Sequence, residues 1–443
     1  MESPEFTSPY SPNTESDRRQ MLEAIGVTSL DELFQDIPAS HRDPVLNLPP
    51  PRSEFELRRY VDGLAAMNKV PGDYACFLGA GSYRHHVPAV VRQITSRSEY
   101  MTSYTPYQPE VSQGTLQTQY EFQSLCAQLT SMEVANAGMY DGSTSVAEGV
   151  LMAARVTKRD RIAVLDTVSP TYREVLDTYV QAPGLKLDTL TNGQPGLEEG
   201  TACLVVQQPN FFGYMEDVEA LSELAHSSGA LLVMYVDPIS LGMFKPPGDY
   251  DADIVASEGQ SMGVPPTYGG PYVGIFASKE RHVRQMPGRI VGKTVDSRGR
   301  TAYVLTLQTR EQHIRRERAT SNICTSVALV ALASTVYMAA NGKRGMKHVA
   351  QLCYHKAHYA AALIDKVPGY SLPIDGTFFR EFVILCPLPP AQTNERLLDY
   401  RIIGGLDVSS QIPNGMLICV TEMNSREEIE ALASALSEIG AAA

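Results

Sequence analysis

The stretch MYDGSTSVAEGVLMAARV sets an Asp-Gly turn and three hydroxyls directly ahead of a helical pattern. Asp141 and Gly142 make the turn, and Ser143, Thr144 and Ser145 carry the hydroxyls. The first N–H groups of the helix have no partner further back in the chain, so donors and the positive end of the helix dipole converge on one point. That is the form of a phosphate cup, and equally the form of a capped helix in a tight turn, since every helix start offers such donors. Farther along, the apolar run LLVMYV ends in Asp237 and Pro238. A carboxylate at the end of a buried strand stands where ligands of open α/β sheets gather, and it can pair with a pyridinium nitrogen. A turn aspartate ahead of Pro238 is the other reading.

Two further segments hold polar groups in unusual company. Between Ser103 and Gly114 the side chains of Tyr104, Tyr107, Gln108, Glu110, Ser112 and Gln113 follow one another around Pro106 and Pro109. The segment is too polar for core and too proline-bound for a helix; a stiffened loop of this kind suits substrate-facing groups, although a solvated loop has the same composition. Between 310 and 322 lie Arg310, Arg315, Arg316 and Arg318, read as a solvated helix face pairing with Glu311 and Glu317, followed by Thr320, Ser321 and Asn322, which offer donors to a phosphate. No metal site is expected. His85 and His86 are adjacent and would point apart on a strand, and His355 with His358 lacks a flanking carboxylate or Cys.

The elements that must position these groups show in the periodicity. Leu116, Tyr120, Leu125, Leu129 and Met132 mark one helix, and Val146, Val150, Ala153 and Val156 a second. RIAVLD, ACLVVQQP, ALLVMYVDP, DIVAS and PYVGIFAS are short apolar runs closed by turn residues. Continuously apolar strands between helices predict a mostly parallel α/β sheet covered on both faces, in a large domain over 70–342. FVILCPL, GMLICVTEM and the closing EEIEALASALSEIG helix predict a smaller α+β domain over 343–443. Residues 1–69 read as an arm: a loose first twenty residues, a short helix in SLDELFQDIP, and a helix from the Ser53/Glu56 capping box to about Asn68. Val327 to Ala340 is apolar but shorter than the roughly 20 residues that span a bilayer, and reads as a buried helix.

The 37 Lys and Arg against 50 Asp and Glu, a net charge of -13, leave no general basic face. Nucleic acid and anionic membranes are therefore disfavoured as partners. Seven cysteines (76, 126, 203, 324, 353, 386 and 419) contain no CxxC pair and read as buried free thiols in a reducing compartment. The first twenty residues lack a basic region followed by an apolar one, so a cytoplasmic location is expected.

In order, the helix-start cup, the strand-end Asp and the turn after DIVAS are similar to those of fold-type-I pyridoxal phosphate-dependent transferases. The text resembles more closely the P-protein, or glycine decarboxylase, family of the glycine cleavage system, and within it the N-terminal half or subunit 1. SLDELFQDIP, FLGAGSYRHHVPAVV, SYTPYQPEVSQGTLQTQYEFQ, MYDGSTSVAEGVLMAAR and QTREQHIRRERATSNICT carry the resemblance, over nearly the whole chain. In the family's catalytic half the turn carries His-Lys, with prolines five and eleven residues after the lysine; Pro265 and Pro271 hold those spacings here, and Gln260 stands at the lysine position. An amide forms no imine, and Lys279, the nearest lysine downstream, reads as a surface residue.

The resemblance implies an oxidoreductase of glycine catabolism whose Schiff-base lysine and pyridoxal phosphate sit on a second subunit, in an α2β2 heterotetramer. The pair would decarboxylate glycine and pass the aminomethyl group to the lipoyl arm of H-protein. Asp141, Gly142, Ser143, Thr144, Asp237 and Gln260 would then be a vestigial site. The 103–114 residues would wall the partner's substrate pocket, and Thr320, Ser321 and Asn322 would reach the partner's cofactor. A purely structural or regulatory subunit, or an independent pyridoxal phosphate enzyme using another lysine, are the alternatives.

Overall fold

A helix begins earlier than the composition of the first twenty residues suggests: α1, Glu15–Ile25, is held by a full capping box between Thr14 and Asp17 and closed by Gly26 in the left-handed region. The SLDELFQDIP segment forms a single 3-10 turn, Leu30–Phe34, in which Ser29 makes no side-chain cap. The Ser53/Glu56 box forms as its spacing predicts and starts α2, Glu54–Ala65. The computed structural model describes residues 10, 13–42, 44–191, 196–323 and 327–441, so Cys324 and most of the first dozen residues lie outside the described residues. The chain divides into two compact units, one ending at Asn68 and one starting at Lys69.

The second unit is built on a seven-stranded sheet. Its strands are β1 Val134–Ala135, β2 Arg161–Leu165, β3 Lys186–Leu190, β4 Thr201–Gln208, β5 Leu231–Val236, β6 Ile254–Glu258 and β7 Gly274–Ser278, in the order β1-β7-β6-β5-β4-β2-β3. β3, β2, β4, β5 and β6 run parallel, while β7 is antiparallel to both β6 and β1. Every residue of β4, β6 and β7 is buried, which is why these strands read as unbroken apolar or small-residue text. Helices α3 Gln113–Thr130, α4 Gly142–Thr157, α5 Pro170–Gln181 and α6 Val218–Ser227 supply the covering layers. Val150, Leu204, Val233, Ile254 and Phe276 belong to one contiguous core.

A two-stranded hairpin, β8 Ile290–Val295 and β9 Thr301–Thr306, packs its buried Val291 and Leu305 against Leu116 of α3. The uncharged stretch forms the start of a longer helix than expected, α7 Ala328–Ile364, interrupted where Gly342 takes a positive φ of 58°. A three-stranded antiparallel sheet follows, β10 Glu381–Leu385, β11 Leu406–Asp407 and β12 Gly415–Cys419, ordered β10-β12-β11, with α8 Pro390–Asp399 and α9 Arg426–Ala441. Its core gathers Phe77, Phe382, Ile384, Ile418, Leu432 and Leu436.

Lys279 is not the free surface lysine that its position suggests. Its Nζ lies 2.7 Å from Asp251 and 2.9 Å from the fully buried Asp253, which also binds His226 and Arg281. The described cysteines are unpaired, and all but the half-buried Cys76 are buried. Among the described residues no helix is long and apolar enough to cross a membrane.

Candidate active-site crevice

The carboxyl ends of β4, β5 and β6 open toward one crevice, the usual ligand position of an open α/β sheet. At its floor the start of α4 forms as a cup and is already filled. Asp141 caps the helix, its Oδ1 accepting from the Thr144 N–H at 2.8 Å and the Ser143 hydroxyl at 2.6 Å. Glu258, the last residue of β6, reaches into the cup: its Oε2 accepts the Gly142 N–H at 2.8 Å, and its Oε1 accepts those of Gln260 at 3.0 Å and Val273 at 3.4 Å. A Cβ on Gly142 would lie 2.9 Å from the Glu258 Cβ and 2.9 Å from the Tyr172 hydroxyl, so only glycine lets helix and strand end approach this closely. Burial pushes the Glu258 carboxyl up to about 7, with the Asp141 charge adding to the rise and the N–H bonds opposing it. A built-in carboxyl thus occupies the place where the helix start would hold an external anion.

Asp237 directly follows β5, and its carboxylate is taken as well. One oxygen accepts the N–H groups of Ile239 at 2.9 Å and Ser240 at 3.3 Å, as a turn aspartate does; the other pairs with the buried Arg380 guanidinium. Arg380 lies over the Tyr83 ring, 3.4 Å from its centroid, and donates to His85 Nε2. A guanidinium accepts nothing, so Nε2 is the acceptor and the His85 proton is on Nδ1, which donates to Glu422 at 2.7 Å. Burial works against a charged Glu422, yet the His85 bond and the His86 N–H hold its carboxyl down to about 2. The adjacent histidines therefore serve one carboxylate, His85 by its ring and His86 by its backbone. Cys353 completes a cluster in which the ligand atoms of His85, Cys353 and Glu422 lie within 4.8 Å of one another. The direct His–Glu bond and the neighbouring Arg380 cation make this grouping a hydrogen-bonded relay.

Gln260 is fully buried and its amide is consumed. Oε1 accepts from the Tyr83 N–H at 2.8 Å, and Nε2 donates to the carbonyls of Tyr83 at 2.9 Å and Val264 at 2.7 Å. Glu381 closes the same wall, accepting from the Ala80 N–H at 2.6 Å and the Tyr83 hydroxyl at 2.8 Å. What remains among Tyr83, Asp237, Glu258, Gln260 and Arg380 is a cavity of about 20 Å³, room for one water. These residues do not fit pyridoxal phosphate: no amine, no free cup, no free aspartate and no volume.

The structure brings Asp237, Gly142 and Gln260 together around this closed crevice through Glu258 and Tyr83; Ser143 and Thr144 stay with the helix cap. The 103–114 loop lies elsewhere and divides into spent and free groups. Gln113 is a clamp, donating to the carbonyls of Pro109 at 2.7 Å and Tyr303 at 2.9 Å and accepting from the Tyr303 N–H at 2.9 Å. The Tyr107 hydroxyl accepts from Arg289 at 3.2 Å, and its ring stands 5.4 Å from that of His313. Ser112 precedes α3 without a side-chain cap bond. Tyr104, Gln108 and Glu110 are exposed, and their side chains make no hydrogen bond or ion pair among the described residues.

The arginine-rich segment is not one solvated helix. Arg310 is buried and donates to the backbone carbonyls of Met286, Leu307 and Gly288; Glu311 is buried too, and its ion-pair neighbour is His313 at 3.6 Å. Only Glu317, 3.9 Å from Arg318, makes an exposed pair of the expected kind. The Thr320 N–H donates to the Arg310 carbonyl at 3.0 Å, and Ser321 accepts from the Ile323 N–H at 3.1 Å. Thr320 and Asn322 line a surface groove of about 920 Å³ with Tyr140, Glu148, Arg155 and Tyr179. Reasoning from the text alone passed over Tyr83, Glu258, Arg380, Glu381 and Glu422. A signal existed for Tyr83, inside the GSYRHH motif, and for Arg380–Glu381, a charged pair opening the apolar run FVILC.

The family model for the glycine cleavage system P-protein matches residues 8–436. The chain is 51% identical to a probable glycine dehydrogenase (decarboxylating) subunit 1 of Thermomicrobium roseum, covering 97% of this chain and 99% of the relative. It is 49% identical to the protein of the same description from Desulforamulus reducens, with the same coverage. A crystal structure of glycine decarboxylase (P-protein) of the glycine cleavage system, in inhibitor-bound form, superposes with a TM-score of 0.93 at 44% identity, over 98% of this chain and 100% of that one. Glutamate decarboxylase of Lactobacillus brevis, at 12% identity and a TM-score of 0.64 over 90% of this chain and 95% of that one, shares the fold alone. That fold is the pyridoxal phosphate-dependent transferase architecture that the order of elements implied.

Proposed function

The chain belongs to the glycine cleavage system P-protein family, and from that membership we propose that it is the subunit of a two-subunit glycine decarboxylase that carries no Schiff-base lysine. The observation that supports this reading best is the closed crevice: Gln260 has both its amide donors and its oxygen engaged, Glu258 fills the cup, and Arg380 holds Asp237. Pyridoxal phosphate belongs to the partner, where it acts as the electron sink for glycine decarboxylation. The aminomethyl group then passes to the lipoyl arm of H-protein, in an assembly of two copies of each subunit. In this reading 70–342 and 343–443 are the large and small domains of the chain.

This chain's own contribution is the 103–114 loop. Glycine offers little beyond a carboxylate and an amine, so a selective pocket must bind the carboxylate by directed hydrogen bonds. Pro106 and Pro109 stiffen the segment, Gln113 ties it to β9, and Arg289 orients Tyr107 while leaving the tyrosine's own proton free to donate. Tyr104, Gln108 and Glu110 have unspent polar groups for the same pocket. Thr320, Ser321 and Asn322 stand on the neighbouring segment, tied to the Tyr107 region through Arg310 and His313. The test is co-purification with the lysine-bearing subunit, followed by glycine/bicarbonate exchange. The reading expects exchange only from the complex; exchange by this chain alone would refute it.

A further inference from the structure

The break in α7 at Gly342 ends one helical run and lets a second begin at Lys343. Beside that break α7 and α3 leave a groove of about 450 Å³, within the range of sites that hold one small molecule. Its apolar lining is Leu125 and Leu129 from α3, Met338 and Met346 from α7, and Leu241 from the turn that follows β5. That turn can close the wall because residue 242 is glycine: a Cβ there would lie 2.7 Å from the Met346 carbonyl oxygen. Lys343 and Lys347, one helical turn apart on α7, are the charged residues among those lining the groove. Both are exposed, and neither side chain makes a hydrogen bond or ion pair among the described residues. The sequence around them offers no counter-charge, since no Asp or Glu occurs from 319 to 364 in a chain of net charge -13. The helical run that resumes at Lys343 adds its positive end to the same rim. A hydrocarbon floor under an all-cationic rim is complementary to a molecule with an apolar body and one anionic head. The net charge of the whole chain disfavours an anionic bilayer as the source of that molecule, which leaves a free one.

We propose that this groove binds a free amphiphilic carboxylate of the fatty-acid class, its chain against Leu125, Leu129 and Met338 and its carboxylate at Lys343 and Lys347. The site is separate from the closed crevice, although the turn that walls it also supplies the Ile239 and Ser240 N–H groups to Asp237. The experiment is isothermal titration calorimetry of sodium octanoate into the full-length chain, wild type and the double variant Lys343→Ala/Lys347→Ala, with 1-octanol as the uncharged control. Both lysines are exposed on a helix, so the variant keeps the wild-type circular dichroism and melting temperature. Wild type takes up one octanoate per chain saturably; the variant binds it at least tenfold more weakly, and octanol is at least tenfold weaker on wild type. Absence of saturable octanoate binding by wild type overturns the inference, and so does equal affinity in the variant. Octanol bound as tightly as octanoate shows an apolar cavity that recognises no head group, which overturns it too. Wild-type binding to phosphatidylserine vesicles that the variant loses assigns the lysines to a membrane surface and overturns it as well.

Discussion

Replacing Gln260 with lysine supplies the amine that the turn lacks, and the crevice geometry says that the amine alone will not be enough. The glutamine makes three buried hydrogen bonds. A lysine can keep the two donated to the carbonyls of Tyr83 and Val264, but it has no acceptor for the Tyr83 N–H. Leaving that buried N–H unpaired costs about 1 to 3 kcal/mol. In a chain of this length about 2 kcal/mol lowers the melting midpoint by roughly 2 °C. The cofactor gains no room, because the cavity beside Gln260 is about 20 Å³ and Glu258 still occupies the cup. Purified Gln260→Lys incubated with pyridoxal phosphate should therefore melt slightly early and stay colourless, with no cofactor fixed at this position by borohydride. Wild-type stability together with one cofactor per chain fixed to the new lysine would refute the closed-crevice argument.

Tyr107→Phe in assembled enzyme removes the proposed donor to the glycine carboxylate and should lower kcat/KM roughly ten- to a hundredfold, read by glycine/bicarbonate exchange; an unchanged value would favour a purely structural subunit. Gln113→Ala strands the backbone of Tyr303 and frees the loop from β9, so urea unfolding should show a loss of about 1 to 3 kcal/mol, rather than a purely kinetic effect. Glu258 has a folded-state pKa of about 7, above the unfolded value of 4.5. Its contribution to stability is present in full below pH 4.5 and is lost as pH rises through 7, up to about 3 kcal/mol. Urea unfolding at pH 5 and pH 8 should show that fall in wild type and a smaller one in Glu258→Gln; equal falls would place the titration elsewhere.

The fold was legible where burial is two-sided. ACLVVQQ and ALLVMYV announce strands because all of β4 and nearly all of β5 are buried, so nothing interrupts the apolar run. KLDTL did not: β3 is an edge strand in which only Leu190 is buried, and its text looks like a loop. The β8–β9 hairpin hid for the same reason, with Lys293, Thr294 and Val295 turned to solvent. At the site, Asp141, Asp237 and Gln260 were legible as types at strand and helix ends. Their partners were not, because Arg380 lies 143 residues from Asp237 and Glu422 lies 337 from His85. No local spacing encodes such pairs. The text could show that a lysine was missing, whereas only the packing shows that the space for its cofactor had been filled.

The central claim is that the cofactor-bearing amine belongs to the partner, and the measurement that tests it most directly is borohydride reduction of the purified two-subunit complex with pyridoxal phosphate, followed by peptide mapping of both chains. The account predicts one pyridoxyl-lysine in the partner and none in this chain, with Lys279 unmodified in its pairs with Asp251 and Asp253. A stoichiometric pyridoxyl-lysine anywhere in this chain would contradict it.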